Sequence, residues 1–205
     1  MIAEVLPIMG VLIIISALSI QVRSYIRPIV STVTTQSILL SIAVGYVGLT
    51  ENTPSLVLLA ILIVVLRGYL LTRILGRRIP LRQMFVREYS HEAVTVAVAS
   101  VVVFIISFMV YRLAILPAVS DPLGAIGFAI MIQGFLLIIS RKNSFAHVIG
   151  YIEEENGIVF MGITIAPLPL LIEISVLLDV LALVIVSTLL VRQEIVHKNV
   201  EELIG

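Results

Sequence analysis

An all-α bundle of about seven membrane-spanning helices, with the N-terminus outside and the C-terminus in the cytoplasm, is the fold this sequence predicts. The chain is 60% hydrophobic and 13% charged, with a mean hydropathy of +1.19. Several uncharged apolar runs reach the roughly 20 residues that a helix needs to cross a bilayer. Basic residues gather at alternate connections between those runs, which orients the chain by the positive-inside rule. Too little polar sequence is left for a soluble domain, so residues 1–205 are expected to form one transmembrane domain, multi-pass in the cell (cytoplasmic) membrane. A formal charge of zero gives no bulk field that would attract nucleic acid. The absence of cysteine excludes disulfides, thiolate metal clusters and a cysteine nucleophile.

The first run, about 4–22, has no basic residue before it and no small-residue cleavage site, so it reads as a transmembrane helix and not a removable signal peptide. Runs of about 29–49 and 55–75 follow, separated by Pro28 and by "ENTPS" at 51–55. The fourth run, 92–112, begins after Pro80 and ends before "LPAVSDP". The last three, 123–140, 144–165 and 168–191, are divided by the basic turn at Arg141 and Lys142 and by "APLP" at 166–169. The prolines thus fall in connections, and no span after the first is expected to be broken. Arg23 and Arg27 follow the first run, and Arg73, Arg77, Arg78, Arg82 and Arg87 the third. Arg192 and Lys198 follow the seventh, leaving Arg112 as the one exception to the alternation. The segment Gly76 to Glu92 mixes arginines with Ile79, Leu81, Phe85 and Tyr89, which suits an amphipathic stretch on the cytoplasmic surface or a dock for an acidic soluble subunit.

Acids occur where lipid solvates them least. Glu153, Glu154 and Glu155 lie in the sixth run, and Glu154 is ten residues from Ser144, or roughly 15 Å along a helix. Asp179 is eleven residues into the seventh run from Leu168, again near the midplane, and Glu173 is nearer the outer face. The short "APLP" turn makes these helices antiparallel neighbours, so their carboxylates are expected to meet at one depth. Ionised acids there cost on the order of 3 kcal/mol each on insertion scales, so they must face protein, water or a partner charge. Consecutive residues are about 100° apart on a helix, so one or two of the three glutamates face the bundle and another faces a cavity or neighbour. Asn156 adds a hydrogen-bonding amide and Gly157 a place for close helix approach.

Neither acidic span holds a Lys or Arg, so a neutralising cation must come from elsewhere. Arg67, about twelve residues into the third run, is the candidate; it either snorkels to the cytoplasmic interface or is paired inside. Gln36 and Gln133 are expected to make interhelical hydrogen bonds. His147, at the start of the sixth run, is either a proton relay or a polar residue at headgroup level.

The segments "RKNSFAHVIGYIEEENGIVF" and "LPLLIEISVLLDVLALVIV" resemble the membrane component E of hydrogenase-4 and formate hydrogenlyase complexes, over nearly the whole chain. Residues 123–192 are more distantly similar to the three-helix subunit K (4L-type) of respiratory complex I and to its relative, the C component of multisubunit cation/proton antiporters. The shared pattern is an apolar helix, a basic "RKN" turn, a helix with a central acid before an Asn, and a last helix with a central acid. The resemblance divides the chain into a three-helix half (4–75), a connecting helix (92–112) and a subunit K-like half (123–192). The first three runs repeat the layout of the last three, with Gln36 and Arg67 where the later half has acids.

The resemblance implies a non-catalytic membrane subunit of a complex I-like oxidoreductase of the membrane-bound hydrogenase type. Glu153, Glu154, Glu155, Glu173 and Asp179 would lend carboxylates to a proton or sodium path, supported by Asn156, Arg67, His147 and Gln36. Asp179 takes the place of the last helix's glutamate. In the middle helix the complex I position is Ile152, while Glu155 beside Asn156 matches component E. Antiporter-like membrane subunits, the membrane subunit nearest the redox arm and hydrogenase-like soluble subunits would be its partners. Nickel–iron and iron–sulfur centres would sit on those partners, and this chain would bind no cofactor or metal. The alternatives are a self-sufficient or multisubunit cation/proton antiporter component, or a purely structural spacer. An intramembrane protease of the paired-glutamate type needs an arginine where this chain has Ile158, and is set aside.

Overall fold

Backbone amides in lipid have no water to bond, so an apolar chain satisfies them within helices. The computed structural model describes residues 2–71, 73, 92–119, 121–141, 144–165 and, in the last run, 175, 177–181, 184, 185 and 188. Every element among them is helical. Helix α1 spans Ile2–Val22 and α2 spans Ile26–Thr50; α3 spans Pro54–Ile63 and winds on as a π-helix over Val64–Leu71. Helix α4 spans Glu92–Val110 and continues through a π-helical Tyr111–Ile115 into Leu116–Val119. Helix α5 spans Gly124–Ser140 and α6 Ser144–Ile165, and the described residues of the seventh run are helical. The stretches Glu4–Val22, Ile26–Thr50 and Val94–Val119 are each long and apolar enough to cross a membrane, which marks the chain as a membrane protein. The segment Gly76 to His91, for which a surface or docking role is expected, and the basic residues Arg192 and Lys198 lie outside the described residues.

Two expectations need correction. The fourth helix does not stop at 112 but runs to Val119, through Arg112 and Pro117. Proline lacks an N–H and its ring crowds the carbonyl four residues back; the π turn just before it, where Leu116 N–H reaches back to Tyr111 O, widens the winding so that the helix passes the proline unbroken. Pro28 likewise sits inside the first turn of α2, where a missing N–H costs nothing, and not in the connection. The turn from α2 to α3 is closed by Asn52 at φ 53°, with Thr53 N–H bonded to Gly48 O at 2.9 Å. This is a Schellman closure with asparagine in the left-handed position that it tolerates better than most residues.

Among the described helices, α5 and α6 form the tightest pair. Gly127 and Gly134 on α5 face Gly157 and Gly150 on α6, each pair of glycines seven residues apart. A Cβ at Gly127 would stand 2.6 Å from Gly157 O, and one at Gly150 2.8 Å from Gly134 O. Backbone meets backbone there, which only glycine permits.

The core is layered by depth. One apolar layer joins Ile13, Leu40, Val44, Leu59, Val159 and Phe160. A second joins Ile20, Ile29, Val33, Leu137, Phe145 and Ile149. On α2 and α6 the layers are separated by Gln36–Ser37 and by Glu153–Asn156, so polar residues form a middle stratum between two greasy ones.

Candidate functional site: a buried arginine shared by two carboxylates

The middle stratum is organised around Arg67. It lies within the π-helical turn of α3 and is 2% exposed. Its Nη2 meets Glu155 Oε1 at 2.5 Å and its Nε meets Asp179 Oδ1 at 2.7 Å. Nη1 donates to Asn156 Oδ1 at 2.7 Å and Nη2 to Ser175 Oγ at 3.0 Å. The planar guanidinium suits this role because its donors fan out in a fixed fork. Of the two fates open to Arg67 in the sequence, the structure takes the paired one.

The network continues laterally. Asn156 donates through Nδ2 to Gln36 Oε1 at 3.0 Å and to Ser37 Oγ at 3.1 Å. Gln36 Nε2 in turn donates to Ile13 O at 3.4 Å. A line of polar groups therefore crosses the bundle at one depth, from α1 through α2, α6 and α3 to the seventh run. All its side chains are buried: Gln36, Ser37 and Asn156 are fully so, and Glu155 and Asp179 are 1% exposed.

Helical angles sort the glutamates. Glu155 points to Arg67. Glu153 is fully enclosed, and neither of its carboxyl oxygens has a hydrogen-bond partner among the described residues. Glu154 is half-buried, its backbone pressed against Gly134 of α5. One oxygen of Glu155, Oε2, and one of Asp179, Oδ2, are also buried without a partner among the described residues. Three acids thus have buried acceptor oxygens with no hydrogen-bond partner among the described residues. Glu173 lies outside the described residues.

His147 is not part of this cluster. Its Nε2 sits against Arg141 O, closing the turn from α5 to α6, while Arg141 Nη2 donates to Gln21 O at the end of α1 at 2.7 Å. Gln133 makes the expected interhelical bonds: its Nε2 donates to Ser100 O at 2.7 Å, and its Oε1 accepts from Ser100 Oγ at 2.9 Å.

Sequence reasoning missed Ser175 and Ser37. Ser175 stands one turn before Asp179, a spacing that puts both on one face. Ser37 carries no such mark. The π turn around Arg67 was also unforeseen; the lone arginine followed by Gly68 in an apolar run is its only local sign. Compared with protein-family models, with curated proteins and with solved structures, the chain finds no match in any of the three.

Proposed function

We propose that the chain is a non-catalytic, multi-pass subunit of a complex I-like energy-converting oxidoreductase in the cell membrane, of the membrane-bound hydrogenase type. It lies with its N-terminus outside and its C-terminus in the cytoplasm, as the alternating basic connections require. It lends carboxylates to a proton or sodium path and links antiporter-like subunits to the membrane subunit nearest the redox arm. Electron transfer, with nickel–iron and iron–sulfur centres, belongs to hydrogenase-like partner subunits.

One observation carries the ion-path part of this reading: among the described residues, Arg67 is the one cation that faces two buried carboxylates, Glu155 and Asp179. One positive charge against two negative ones leaves the ionised cluster at −1. A net charge held at mid-bilayer is costly, and one monovalent cation, a proton or a sodium ion, neutralises it. A buried cluster whose carboxylates outnumber its cation by one is what an ion path needs at each of its stations. A structural ion pair would more economically be one-to-one. The lateral line through Asn156 and Gln36 gives the station polar neighbours on either side.

Copurification tests the assignment. Gentle solubilisation of native membranes, followed by mass spectrometry, is expected to recover antiporter-like subunits together with iron–sulfur and nickel-site subunits. Recovery of the chain alone or as a homo-oligomer refutes the subunit reading. Recovery with antiporter subunits but no redox protein favours the second reading, a component of a cation/proton antiporter, which the same charge deficit supports.

A further inference from the structure

Helix α4 carries the one basic side chain that breaks the alternation of charges, and it stands beside a groove. Phe104, Phe108, Leu116 and Pro122 line an open, mainly apolar groove of about 560 Å³ between α4 and the start of α5, and Arg112 is on its wall. Tyr111 closes its floor: the ring is fully buried and its hydroxyl donates to Asp121 O at 2.8 Å. The acid of that connection is already engaged, since Asp121 Oδ1 accepts from Leu123 N–H at 2.8 Å. Arg112 is exposed, and among the described residues no carboxylate pairs with it.

The depth decides what can meet it. Helix α4 is long and apolar enough over Val94–Val119 to cross a bilayer, and Arg112 is seven residues, or about 10 Å, from its end. A guanidinium there snorkels to the boundary between hydrocarbon and headgroups, where phosphates lie. The groove runs inward from that level, from Arg112 to Phe104, about 12 Å along the helix. It also extends outward to Leu116 and Pro122, and Arg112 is the one charged residue on its otherwise greasy wall. We infer that this groove is a binding site for an anionic phospholipid, with the phosphate on Arg112 and an acyl chain against Phe104 and Phe108. Free phosphate satisfies Arg112 and leaves the groove empty; a zwitterionic lipid fills the groove and brings its own cation to Arg112. The inference needs only that α4 crosses a bilayer, and stands or falls apart from the ion path.

Photolabelling of the full chain in membranes tests it, with phosphatidylglycerol and phosphatidylcholine probes that carry the same diazirine in the acyl chain. Peptide mapping is expected to place the label within Phe104–Met109, with phosphatidylglycerol favoured about fivefold, the worth of one basic residue near an anionic headgroup. Arg112→Gln is expected to bring the two probes to parity, and Arg112→Lys to keep most of the preference. Arg112 is exposed, so both variants keep the fold, and size-exclusion chromatography checks this. Equal labelling of the unaltered protein by the two probes overturns the inference, as does a preference unchanged in Arg112→Gln. Absence of label from this stretch with either probe also overturns it, because another protein then covers the groove.

Discussion

Replacing Arg67 with Met removes the positive charge and keeps much of the stem. It breaks two ion pairs at once, those to Glu155 at 2.5 Å and Asp179 at 2.7 Å. It also strips Asn156 Oδ1 and Ser175 Oγ of a donor. Removing one partner of a buried pair costs about 3–5 kcal/mol, because the other charge is left uncompensated. Arg67→Met should cost at least that much if its acids stay ionised. Neutralising one acid is different. Glu155→Gln or Asp179→Asn leaves one cation facing one anion, so the loss is confined to a charge-assisted hydrogen bond, about 1.5–3 kcal/mol, and is offset by removal of the excess negative charge. The predicted order is therefore Arg67→Met far more destabilising than either acid variant. The triple variant Arg67→Met, Glu155→Gln, Asp179→Asn should recover a large part of the loss, since a neutral cluster has no charge to strand. Sodium dodecyl sulfate titration of the purified chain in mixed micelles, followed by circular dichroism, reads these differences. Arg67→Met costing under about 1 kcal/mol would refute the charge-balance reasoning, and so would a triple variant no more stable than Arg67→Met.

Other contacts yield smaller predictions. Gly134→Leu places a side chain where the backbone of α6 lies, 2.5 Å from Gly150 O; it should destabilise by at least the roughly 1–3 kcal/mol of an overpacked core and separate α5 from α6, seen as lost crosslinking between cysteines introduced on the two helices. Ser100→Ala leaves Gln133 Oε1 without its hydroxyl donor and should cost about 1 kcal/mol in the same titration. Asn156→Leu cuts the line between Arg67 and Gln36; it should lower ion uptake by vesicles more than it lowers the amount of assembled protein on a native gel.

Much of the frame is legible in hydropathy and turn chemistry. The apolar run 144–165 coincides with helix Ser144–Ile165, and the run 123–140 with Gly124–Ser140 to within a residue. Those ends are set locally, by apolar runs that meet the basic turn at Arg141 and Lys142 or the proline-containing stretches "SDP" and "APLP". The fourth helix outruns its expected end because Arg112 and Pro117 both read as terminators, and the π turn that lets the chain continue has no strong local sign. The site is half legible. An acid in a run that lipid should solvate is conspicuous, so Glu153, Glu155 and Asp179 can be found from the sequence. Their partner cannot be assigned there, because Arg67 and Asp179 are 112 residues apart and their meeting depends on how the third helix lies against the seventh. Which glutamate turns to Arg67 depends on helix rotation, a quantity fixed here by the glycine contacts between α5 and α6 and invisible in the charge pattern.

Ion uptake by vesicles driven by the complex's own electron donor, with and without Glu155→Gln, tests the central claim most directly. If the Arg67 cluster is a station on the path, uptake falls at least tenfold while the variant still assembles and electron transfer persists once the membrane is made leaky. Uptake equal to that of the unaltered protein, in a variant assembled to the same level, would contradict the account and leave the cluster a structural ion pair.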